Sequence, residues 1–341
     1  MALSPLAKSG ILMAAAALAT LLLIRLLHPL LVRYALARPN ARSSHSVPTP
    51  QGGGIAVVGV TLALFVALTV GTVTSGIDGA RLALLAGAVT LLAVLGAVDD
   101  IRPLPVAVRL VLQFAAAIGL VLALPPGAAP FASLPVPTTV EEIILVVGLV
   151  WFINLTNFMD GIDWMTVVEV VPISAMLALL AHIGALPAAP GLLALLMTGA
   201  MLGFAPANRH VARLFLGDVG SLPIGGLLGW LLIVLAGAGH LAAALILPLY
   251  YIADSGITLW RRWRRGERVW QAHRSHYYQR ALDNGFAVPE VTAEVLRLNL
   301  ALAGLALLSV VASDFAVSLA ALVIAAVLTG WVLVRLERGK P

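Results

Sequence analysis

The stretch ARLALLAGAVTLLAVLGAVDD, residues 80–100, joins a long apolar run to two adjacent carboxylates. Its apolar part, 80–98, approaches the roughly 20 residues that an α-helix needs to cross a bilayer. Asp99 and Asp100 repel each other, and charged groups at membrane depth are costly and usually functional. The stretch therefore predicts a transmembrane helix that presents an acidic pair at one membrane face.

The composition of the whole chain is that of a membrane protein. Of its 341 residues, 61% are hydrophobic and 11% are charged, against about 25% charged in a typical soluble domain. The absence of cysteine excludes disulfides, thiolate metal sites and a cysteine nucleophile. The net charge of +5 could indicate nucleic-acid binding. However, the basic residues lie beside apolar runs, as topology signals do, so we predict no nucleic-acid partner.

Further apolar runs predict an all-α, polytopic membrane bundle of about eleven transmembrane helices, with ten as the alternative count. The runs are 10–32, 52–73, 80–98, 106–124, 140–157, 164–183, 190–205, 218–238, 240–260, 297–313 and 315–335. We predict a single domain, 1–341, in which the only sizeable extramembrane segment is a basic, aromatic loop at 261–296.

Basic residues predict the orientation, because Lys and Arg concentrate in cytoplasmic loops. With the N-terminus outside and the C-terminus inside, nineteen of the 21 Lys and Arg residues fall on the inside. Only Lys8 and Arg81 fall outside. Five inside connections also carry unusual polar residues, whereas the outside ones are bland, so we expect the functional site on the cytoplasmic face.

The first inside loop reads RSSHSVPTPQGGG, 42–54, with His45 between serines and Gly53 in a glycine triplet that opens a helix. Glycines at a helix N-terminus let backbone N–H groups approach a phosphate. A flexible Pro/Gly turn is the alternative. The second connection carries Asp99-Asp100, which indicates a bound cation or a proton held at raised pKa, with a solvated helix cap as the alternative.

The third inside connection, NLTNFMDGID, carries Asn154, Asn157, Asp160 and Asp163. The two asparagines are three residues apart, as are the two aspartates, so each pair shares a face if helical. Four oxygen-bearing side chains within ten residues suit Mg²⁺ or contacts to ribose and phosphate. A bland loop of this composition is the alternative.

The fourth inside connection, GDVGS at 217–221, places Asp218 between glycines where a helix is expected to begin. N-capping alone would also explain this aspartate. Asp254 lies about two turns from the inside end of its predicted span and is a candidate for orienting the site.

The fifth inside connection reads HRSHYYQR and carries His273, Arg274, His276 and Arg280. The two histidines share a face if helical. Zinc is a rival ligand, but two histidines without a nearby cysteine or acid form an incomplete zinc set. Guanidinium groups bind phosphate oxygens in pairs, which favours a diphosphate. A basic loop that merely faces lipid remains the alternative.

Together these residues supply carboxylates without cysteine, which favours a hard cation, Mg²⁺ or else Mn²⁺. Arginine, histidine and glycine-rich helix starts favour phosphate. The combination predicts metal-assisted phosphoryl transfer to or from a membrane-resident substrate. A multi-pass transporter of lipid-linked or nucleotide sugars is the alternative, although transporter sites lie near the bilayer midplane and often at internal repeats.

These five motifs, in this order from about Arg42 to Arg280, resemble those of the polyprenyl-phosphate N-acetylhexosamine-1-phosphate transferases. That family, glycosyltransferase family 4, includes the undecaprenyl-phosphate GlcNAc-1-phosphate transferase and the phospho-MurNAc-pentapeptide translocase. The resemblance implies an enzyme of the bacterial inner membrane that moves sugar-1-phosphate from a UDP-sugar to a polyprenyl phosphate. The products would be UMP and the polyprenyl-diphosphate-sugar that begins a cell-envelope glycan.

The resemblance also implies roles for individual residues. Asp99 and Asp100 match a motif in which one aspartate is a proposed general base. Asp218 matches a metal ligand, to which we add Asp99. The remaining matches are Asn157, Asp160 and Asp163 to the nucleotide and metal loop, His273 and His276 to the motif near the diphosphate, and Asp254 to an aspartate before the long loop.

Two departures from the family pattern bear on the sugar. HRSHYYQR replaces the consecutive histidines of the translocase branch, so we do not expect a peptidoglycan precursor. Its ending is closer to O-antigen and capsule initiators that use FucNAc or QuiNAc. Trp164 stands where the family usually has glycine, which could narrow the mouth of the site. A homodimer is compatible with the sequence.

Overall fold

The computed structural model describes residues 4–37, 47–70, 77–131, 135–268 and 273–340. This part of the chain is almost entirely α-helical, apart from one short antiparallel pairing of β1 (Leu36–Ala37) with β2 (Thr49–Pro50). The helices are α1 (Pro5–Tyr34), α2 (Gly54–Val70), α3 (Gly79–Ile101), α4 (Val106–Leu122), α5 (Thr138–Met159), α6 (Met165–His182), α7 (Ala188–Asn208), α8 (Asp218–Gly237), α9 (Leu241–Ile246), α10 (Leu249–Arg264), α11 (Tyr277–Asp283), α12 (Val288–Ala312) and α13 (Phe315–Arg338).

Within the described ranges, eight helices are long and apolar enough to cross a membrane, and α2 and α4 are shorter apolar helices. Each of the first eight predicted runs corresponds to one helix, α1 to α8, and the last two correspond to α12 and α13. The prediction of an all-α polytopic membrane bundle is confirmed.

The ninth predicted run, 240–260, is not one helix. It contains α9 and most of α10, which are separated at Leu247 and Pro248. Proline has no backbone N–H to continue the helical ladder, and a broken helix is tolerated at membrane depth where protein surrounds it. The ring-bearing residues that follow the break, Tyr250 and Tyr251, are fully buried.

The predicted loop 261–296 is also shorter than expected. Helix α10 continues to Arg264, α11 occupies Tyr277–Asp283, and α12 begins at Val288 rather than at 297. Charged and polar residues in these helix ends masked their helical character in the hydropathy pattern.

Helix α8 forms the centre of the bundle and is almost wholly buried. Its glycines let neighbouring helices approach closely, as small residues do in membrane bundles. A Cβ on Gly54 of α2 would lie 2.1 Å from the Cα of Gly220, and one on Gly96 of α3 would lie 2.2 Å from the carbonyl oxygen of Asp218. The start of α8 is therefore fixed against both α2 and α3.

Candidate active site

Asp100 holds the N-terminus of α8 against the C-terminal end of α3. Its Oδ1 accepts a hydrogen bond from the Asp218 N–H at 3.0 Å, and its Oδ2 accepts one from the Val219 N–H at 3.1 Å. Gly217 has a φ of 77°, and a Cβ there would lie 2.6 Å from Asp100 Oδ2. Both oxygens of Asp100 thus satisfy N–H groups that a helix start leaves unpaired.

Asp99 lies beside Asp100 but is tied to the start of α4. Its Oδ2 is 2.8 Å from a terminal nitrogen of Arg109, and its Oδ1 accepts the Leu104 N–H at 2.6 Å. The carboxyl groups of Asp99 and Asp218 lie within hydrogen-bonding reach of each other. Carboxylates this close repel when both are ionised, and a shared proton or a bound cation relieves the repulsion.

Asn157 joins the same group from α5. Its Nδ2 donates to Asp218 Oδ1 at 2.7 Å and to Ser221 Oγ at 2.9 Å. Asn154, one turn earlier, instead donates to Gln113 Oε1 of α4 at 2.7 Å. Both asparagines lie on α5, three residues apart as the shared-face prediction assumed, but they pair with different helices. We call the four carboxylates of Asp99, Asp100, Asp160 and Asp218, together with the Asn157 amide, the carboxylate cluster.

Asp160 follows the last residue of α5 and lies close enough to Asp100 to interact with it electrostatically. Burial raises the pKa of Asp160 to about 6, the neighbouring Asp100 and Asp163 add to the increase, and a hydrogen bond from the Thr166 hydroxyl opposes it. Asp160 and Asp163 do not meet the condition for sharing a helical face, since α5 ends at Met159 and α6 begins only at Met165.

Asp163 fixes the loop between α7 and α8. Its Oδ2 is 2.8 Å from His210 Nδ1 and accepts the Ala212 N–H at 3.1 Å. Only 2% of Asp163 is exposed, so its carboxylate is enclosed by the segments that it joins. His210 was not predicted, because no local pattern links it to an aspartate 47 residues away.

Trp164 and Asn208 are further residues whose contacts the sequence did not predict. Trp164 has a φ of 65°, which is unusual for a residue with a side chain. Its backbone N–H donates to Asn208 Oδ1 at 2.8 Å, and its indole Nε1 donates to the Ala205 carbonyl at 2.7 Å. The replacement of a glycine by Trp164 was the one available signal, and the structure shows this residue joining the α5–α6 turn to the end of α7.

The backbone N–H of Gly53 was expected to face a phosphate, but it is already paired within the protein. That N–H donates to the Phe215 carbonyl at 2.9 Å, and the N–H of Gly54 donates to the Leu216 carbonyl at 2.9 Å. A Cβ on Gly53 would lie 2.5 Å from the Phe204 ring. The glycines therefore let the first loop pack beside the loop that leads into α8. His45 lies outside the described residues.

Asp254 and His276 form a buried pair. Asp254 is fully buried, and its Oδ1 is 3.0 Å from His276 Nδ1. The same carboxylate accepts the N–H groups of Tyr277 at 3.0 Å and Tyr278 at 3.2 Å. Asp254 thus fixes both the His276 ring and the start of α11, a positioning role. The two histidines are not on a helix, but the His273 and His276 rings are 4.8 Å apart.

His273 differs from His276 in its surroundings. Burial, followed by the nearby His276 and Arg262, lowers the pKa of His273 to about 4. The imidazole is therefore neutral at pH 7, and its Nδ1 is 2.9 Å from the Ser275 hydroxyl. A neutral ring can donate or accept a hydrogen bond but does not supply positive charge to a phosphate.

Arg274 and Arg280 line a separate basic cavity of about 300 Å³ between α10 and α11. The remaining lining residues are Thr258, Arg261, Arg262, Arg265 and Ser275. Arg280 and Arg261 both bind Glu337 at the end of α13, at 2.7 and 2.8 Å. Arg274 pairs with Asp283 at 3.3 Å. The two pairs with Glu337 tie α10 and α11 to the last helix, whereas the Arg274–Asp283 pair joins the segment before α11 to the end of α11.

An apolar groove of about 220 Å³ lies between α5, α8 and the α9–α10 break. Its lining includes Trp151, Phe152, Gly229, Leu245 and Pro248 and is almost free of polar atoms. A groove of this kind beside a broken helix can take a lipid chain from the surrounding bilayer.

The donor set of the carboxylate cluster suits a hard cation. Among the residues that the structure describes, no three His, Cys, Asp or Glu side chains are grouped to hold a metal by themselves. Mg²⁺ typically binds through one or two carboxylates together with substrate phosphates and water. The adjacent carboxyl groups of Asp99 and Asp218 suit this mode of Mg²⁺ binding, because a cation would relieve their mutual repulsion.

Comparison with known proteins points in the same direction. A family model described as "Glycosyl transferase family 4" matches residues 82–236. The decaprenyl-phosphate N-acetylglucosaminephosphotransferase of Mycobacterium tuberculosis is 28% identical over 293 residues, covering 74% of this chain and 70% of the relative. The enzyme of the same name from Mycolicibacterium smegmatis is 29% identical over 286 residues, covering 74% and 69%.

A second kind of relative is also similar. The phospho-N-acetylmuramoyl-pentapeptide-transferase of Chloroflexus aurantiacus is 26% identical over 290 residues, covering 75% of this chain and 76% of the relative. The apolar helices and these matches define a multi-pass membrane transferase. More narrowly, the family model over residues 82–236 and the names of these relatives support the resemblance to glycosyl transferase family 4 drawn from the motifs.

Proposed function

We propose that this protein transfers an N-acetylhexosamine-1-phosphate from a UDP-sugar to undecaprenyl or another polyprenyl phosphate. The products are UMP and polyprenyl-diphosphate-sugar. The observation that carries the proposal is the convergence of Asp100, Asp160 and Asp218, which lie 60 and 58 residues apart in sequence, at the start of one central helix. The names of the relatives support the same reaction.

The acceptor phosphate would reach the carboxylate cluster with its polyprenyl chain in the apolar groove beside α9 and α10. One oxygen of the acceptor attacks the phosphorus on the sugar side of the diphosphate, and UMP leaves with the electrons of the broken bond. The bond between the sugar carbon and its oxygen is not broken. The anomeric configuration of the sugar is therefore retained.

The residues of the cluster have different tasks in this scheme. Asp218 and Asp99 would hold Mg²⁺, or Mn²⁺, and the bound ion would neutralise charge on the leaving UMP. Asp100 uses both carboxylate oxygens on the start of α8 and therefore orients Asp218. The acceptor phosphate is mostly ionised at pH 7, since its second pKa is near 6, and needs little help from a base. Asp160, with its pKa about 6, can accept the proton that remains.

The donor is expected to lie between the cluster and the histidine segment. His276 is placed by Asp254, and His273 contributes a neutral ring. The arginines of the basic cavity supply positive charge near the diphosphate. We further propose the cytoplasmic face of the bacterial inner membrane as the location, because Lys and Arg concentrate on the face of the bundle that holds the cluster.

The sugar is proposed from the sequence alone. The ending of HRSHYYQR favours a 6-deoxy-N-acetylhexosamine of O-antigen or capsule synthesis, such as FucNAc or QuiNAc. GlcNAc is the acceptable alternative, because two of the relatives described above carry it in their names. A transporter is not favoured, since those relatives are all named as transferases.

The proposal is tested by assaying the purified protein for UMP release. Polyprenyl phosphate and a panel of UDP-sugars are supplied, with and without EDTA. We expect UMP only when the lipid acceptor is present, loss of activity with EDTA, and recovery on addition of Mg²⁺. Movement of the UDP-sugar across proteoliposomes without UMP release would overturn the proposal in favour of a transporter.

A further inference from the structure

Glu169 is a buried acid that the proposed reaction does not use. It lies within α6, is 1% exposed, and its Oε2 accepts a hydrogen bond from Asn299 Nδ2 of α12 at 2.6 Å. An ionised carboxylate at membrane depth is expensive unless it is paired with a cation. The titratable groups that act on Glu169 are the phenols of Tyr250 and Tyr251 from α10, which supply no positive charge at neutral pH.

Asn299 also supplies a hydrogen-bond donor that the backbone of α6 lacks. Pro172 has no N–H, so the carbonyl of Val168, four residues earlier, lacks its usual helical donor. The second hydrogen of Asn299 Nδ2 fills this place, at 3.0 Å from the Val168 oxygen. One amide therefore joins α12 both to the backbone and to the acid of α6.

Each side chain of this pair has one oxygen without a hydrogen-bond partner. Glu169 Oε1 and Asn299 Oδ1 are buried and have no hydrogen-bond partner. Both are acceptors if Glu169 is ionised, so neither can satisfy the other. A proton on Glu169 supplies the missing donor, and a carboxylic acid beside a carboxamide can then form two reciprocal hydrogen bonds.

The acid–amide pair lies against the break between α9 and α10. Tyr251 is the third residue of α10, where a helix leaves its N–H without an internal partner, and that N–H is near the Glu169 carboxyl group. The Tyr251 ring is 1% exposed, and its hydroxyl lies beside Thr166, which binds Asp160. Three residues further along α10, Asp254 holds His276.

We propose that protonated Glu169 and Asn299 form a neutral clamp that anchors the buried start of α10 and so positions the Asp254–His276 pair for the donor substrate. The inference rests on the proposed function for its kinetic consequence. Glu169 is a positioning residue, since its effect on the donor passes through α10. The clamp takes no part in bond making or breaking.

Matched variants separate a neutral clamp from a charged group. Glu169→Gln keeps both the donor and the acceptor that Asn299 needs, so we expect kcat and the UDP-sugar KM within about twofold of the wild type. Glu169→Ala removes both, and we expect the donor KM to rise about tenfold with a smaller change in kcat. Ser174→Ala is the control. Ser174 lies on α6 like Glu169, and its substitution removes a buried hydrogen bond to Thr198 of α7 rather than a contact with α10.

Two measurements do not depend on turnover. Infrared spectroscopy should show a protonated-carboxyl C=O band at neutral pH that Glu169→Gln removes. Hydrogen exchange of Tyr277–Asp283 should be faster in Glu169→Ala than in the wild type or in Ser174→Ala. Should Glu169→Ala fail to fold, Glu169→Gln and the infrared band still decide the matter.

The inference is overturned if Glu169→Gln loses activity as Glu169→Ala does, or if the band is absent. It is likewise overturned if Glu169→Ala lowers thermal stability but leaves the donor KM and the exchange of Tyr277–Asp283 unchanged. Failure of the wild type to release UMP from any UDP-sugar would instead overturn the proposed function. In that event the band and the exchange rates still test the clamp.

Discussion

Asp218 is in close contact with three polar residues. Asp100 fixes its backbone, Asn157 donates to its Oδ1, and Asp99 crowds its carboxyl group. A side chain held this closely has little freedom to adapt to a substitution. The local arrangement favours a precise position for one anionic group, which is what electrostatic stabilisation of a phosphoryl transfer needs.

Asp218→Asn should therefore abolish transfer, with kcat reduced at least about 10³-fold, because an amide removes the negative charge that is proposed to hold Mg²⁺. UMP release by the purified variant measures the effect. Asp314→Asn is a matched control, since Asp314 also starts a helix and binds the Val317 N–H at 2.9 Å, yet lies at α13, away from the cluster. Normal turnover by Asp218→Asn would remove this residue from the site.

The raised pKa of Asp160 predicts that the free energy of unfolding depends on pH. Its pKa of about 6 in the folded protein lies above the ordinary value of 3.8. The folded state therefore binds the proton more tightly, and the free energy of unfolding falls as the pH rises from about 4 to about 6. Above that range the penalty is constant, at about 3 kcal/mol for the ionised group.

Asp160→Asn should remove this penalty, because an amide carries no charge and can still accept the Thr166 hydrogen bond. We expect the variant to unfold at a higher temperature than the wild type at pH 7, with the difference shrinking towards pH 4, and to lose activity. Thermal unfolding in detergent at several pH values measures this. An equal shift at pH 4 and pH 7 would contradict the assigned cause.

Residues of the cluster could be predicted from the sequence where a motif combines an acid with glycine, as at Asp218, or places two acids together, as at Asp99. The partners of Asp163 could not. His210 and Asn208 are ordinary loop residues in sequence, and they become important only because α7 ends beside the α5–α6 turn. The role of Asp254 was half predicted, since its hydrogen bonds to α11 depend on a short helix that hydropathy does not reveal.

At the scale of elements, the apolar helices were predictable because lipid imposes a length and a composition on each of them. The α9–α10 break was not, because a proline does not by itself end a helix: Pro29, Pro172 and Pro223 lie inside helices that continue. A broken helix is tolerated at that depth only because α5 and α8 surround Pro248 and keep the unpaired backbone groups away from lipid. Such breaks depend on neighbours that are distant in sequence.

The contact between α3 and α8 makes a testable case for close helix packing. A Cβ at Gly96 would lie 2.2 Å from the Asp218 carbonyl oxygen, so Gly96→Ala must push the start of α8 away from Asp100. We expect a loss of about 1–3 kcal/mol of stability and a large loss of activity. Thermal unfolding and UMP release measure the two effects.

Gly87→Ala is the matched control, because it lies on the same helix with nothing within 4 Å of the added Cβ. It should leave activity unchanged and stabilise the protein slightly, since alanine favours a helix over glycine. Equal behaviour of the two variants would show that the α3–α8 contact does not position the cluster.

At the scale of the whole molecule, the helix ends that carry the cluster all lie on one face of the bundle. The hydrogen bonds between Asp218 and Asp100, between His210 and Asp163, and between His276 and Asp254 each cross between elements at that face, and each is accepted or shared by the aspartate. The ion pairs of Arg261 and Arg280 with Glu337 lie there too. These basic residues and the carboxylate cluster therefore share one side of the bundle, and the positive-inside rule predicts that this side is cytoplasmic.

Cysteine labelling tests this orientation directly, because the chain has no cysteine of its own. Glu142, near the start of α5, and Arg265, just after α10, are both exposed and fall on opposite sides in the predicted topology. In intact cells, a membrane-impermeant thiol reagent should label Glu142→Cys. It should label Arg265→Cys only after permeabilisation, since positive charge keeps that loop inside. The reverse pattern would place the carboxylate cluster on the outer face, away from any cytoplasmic nucleotide sugar.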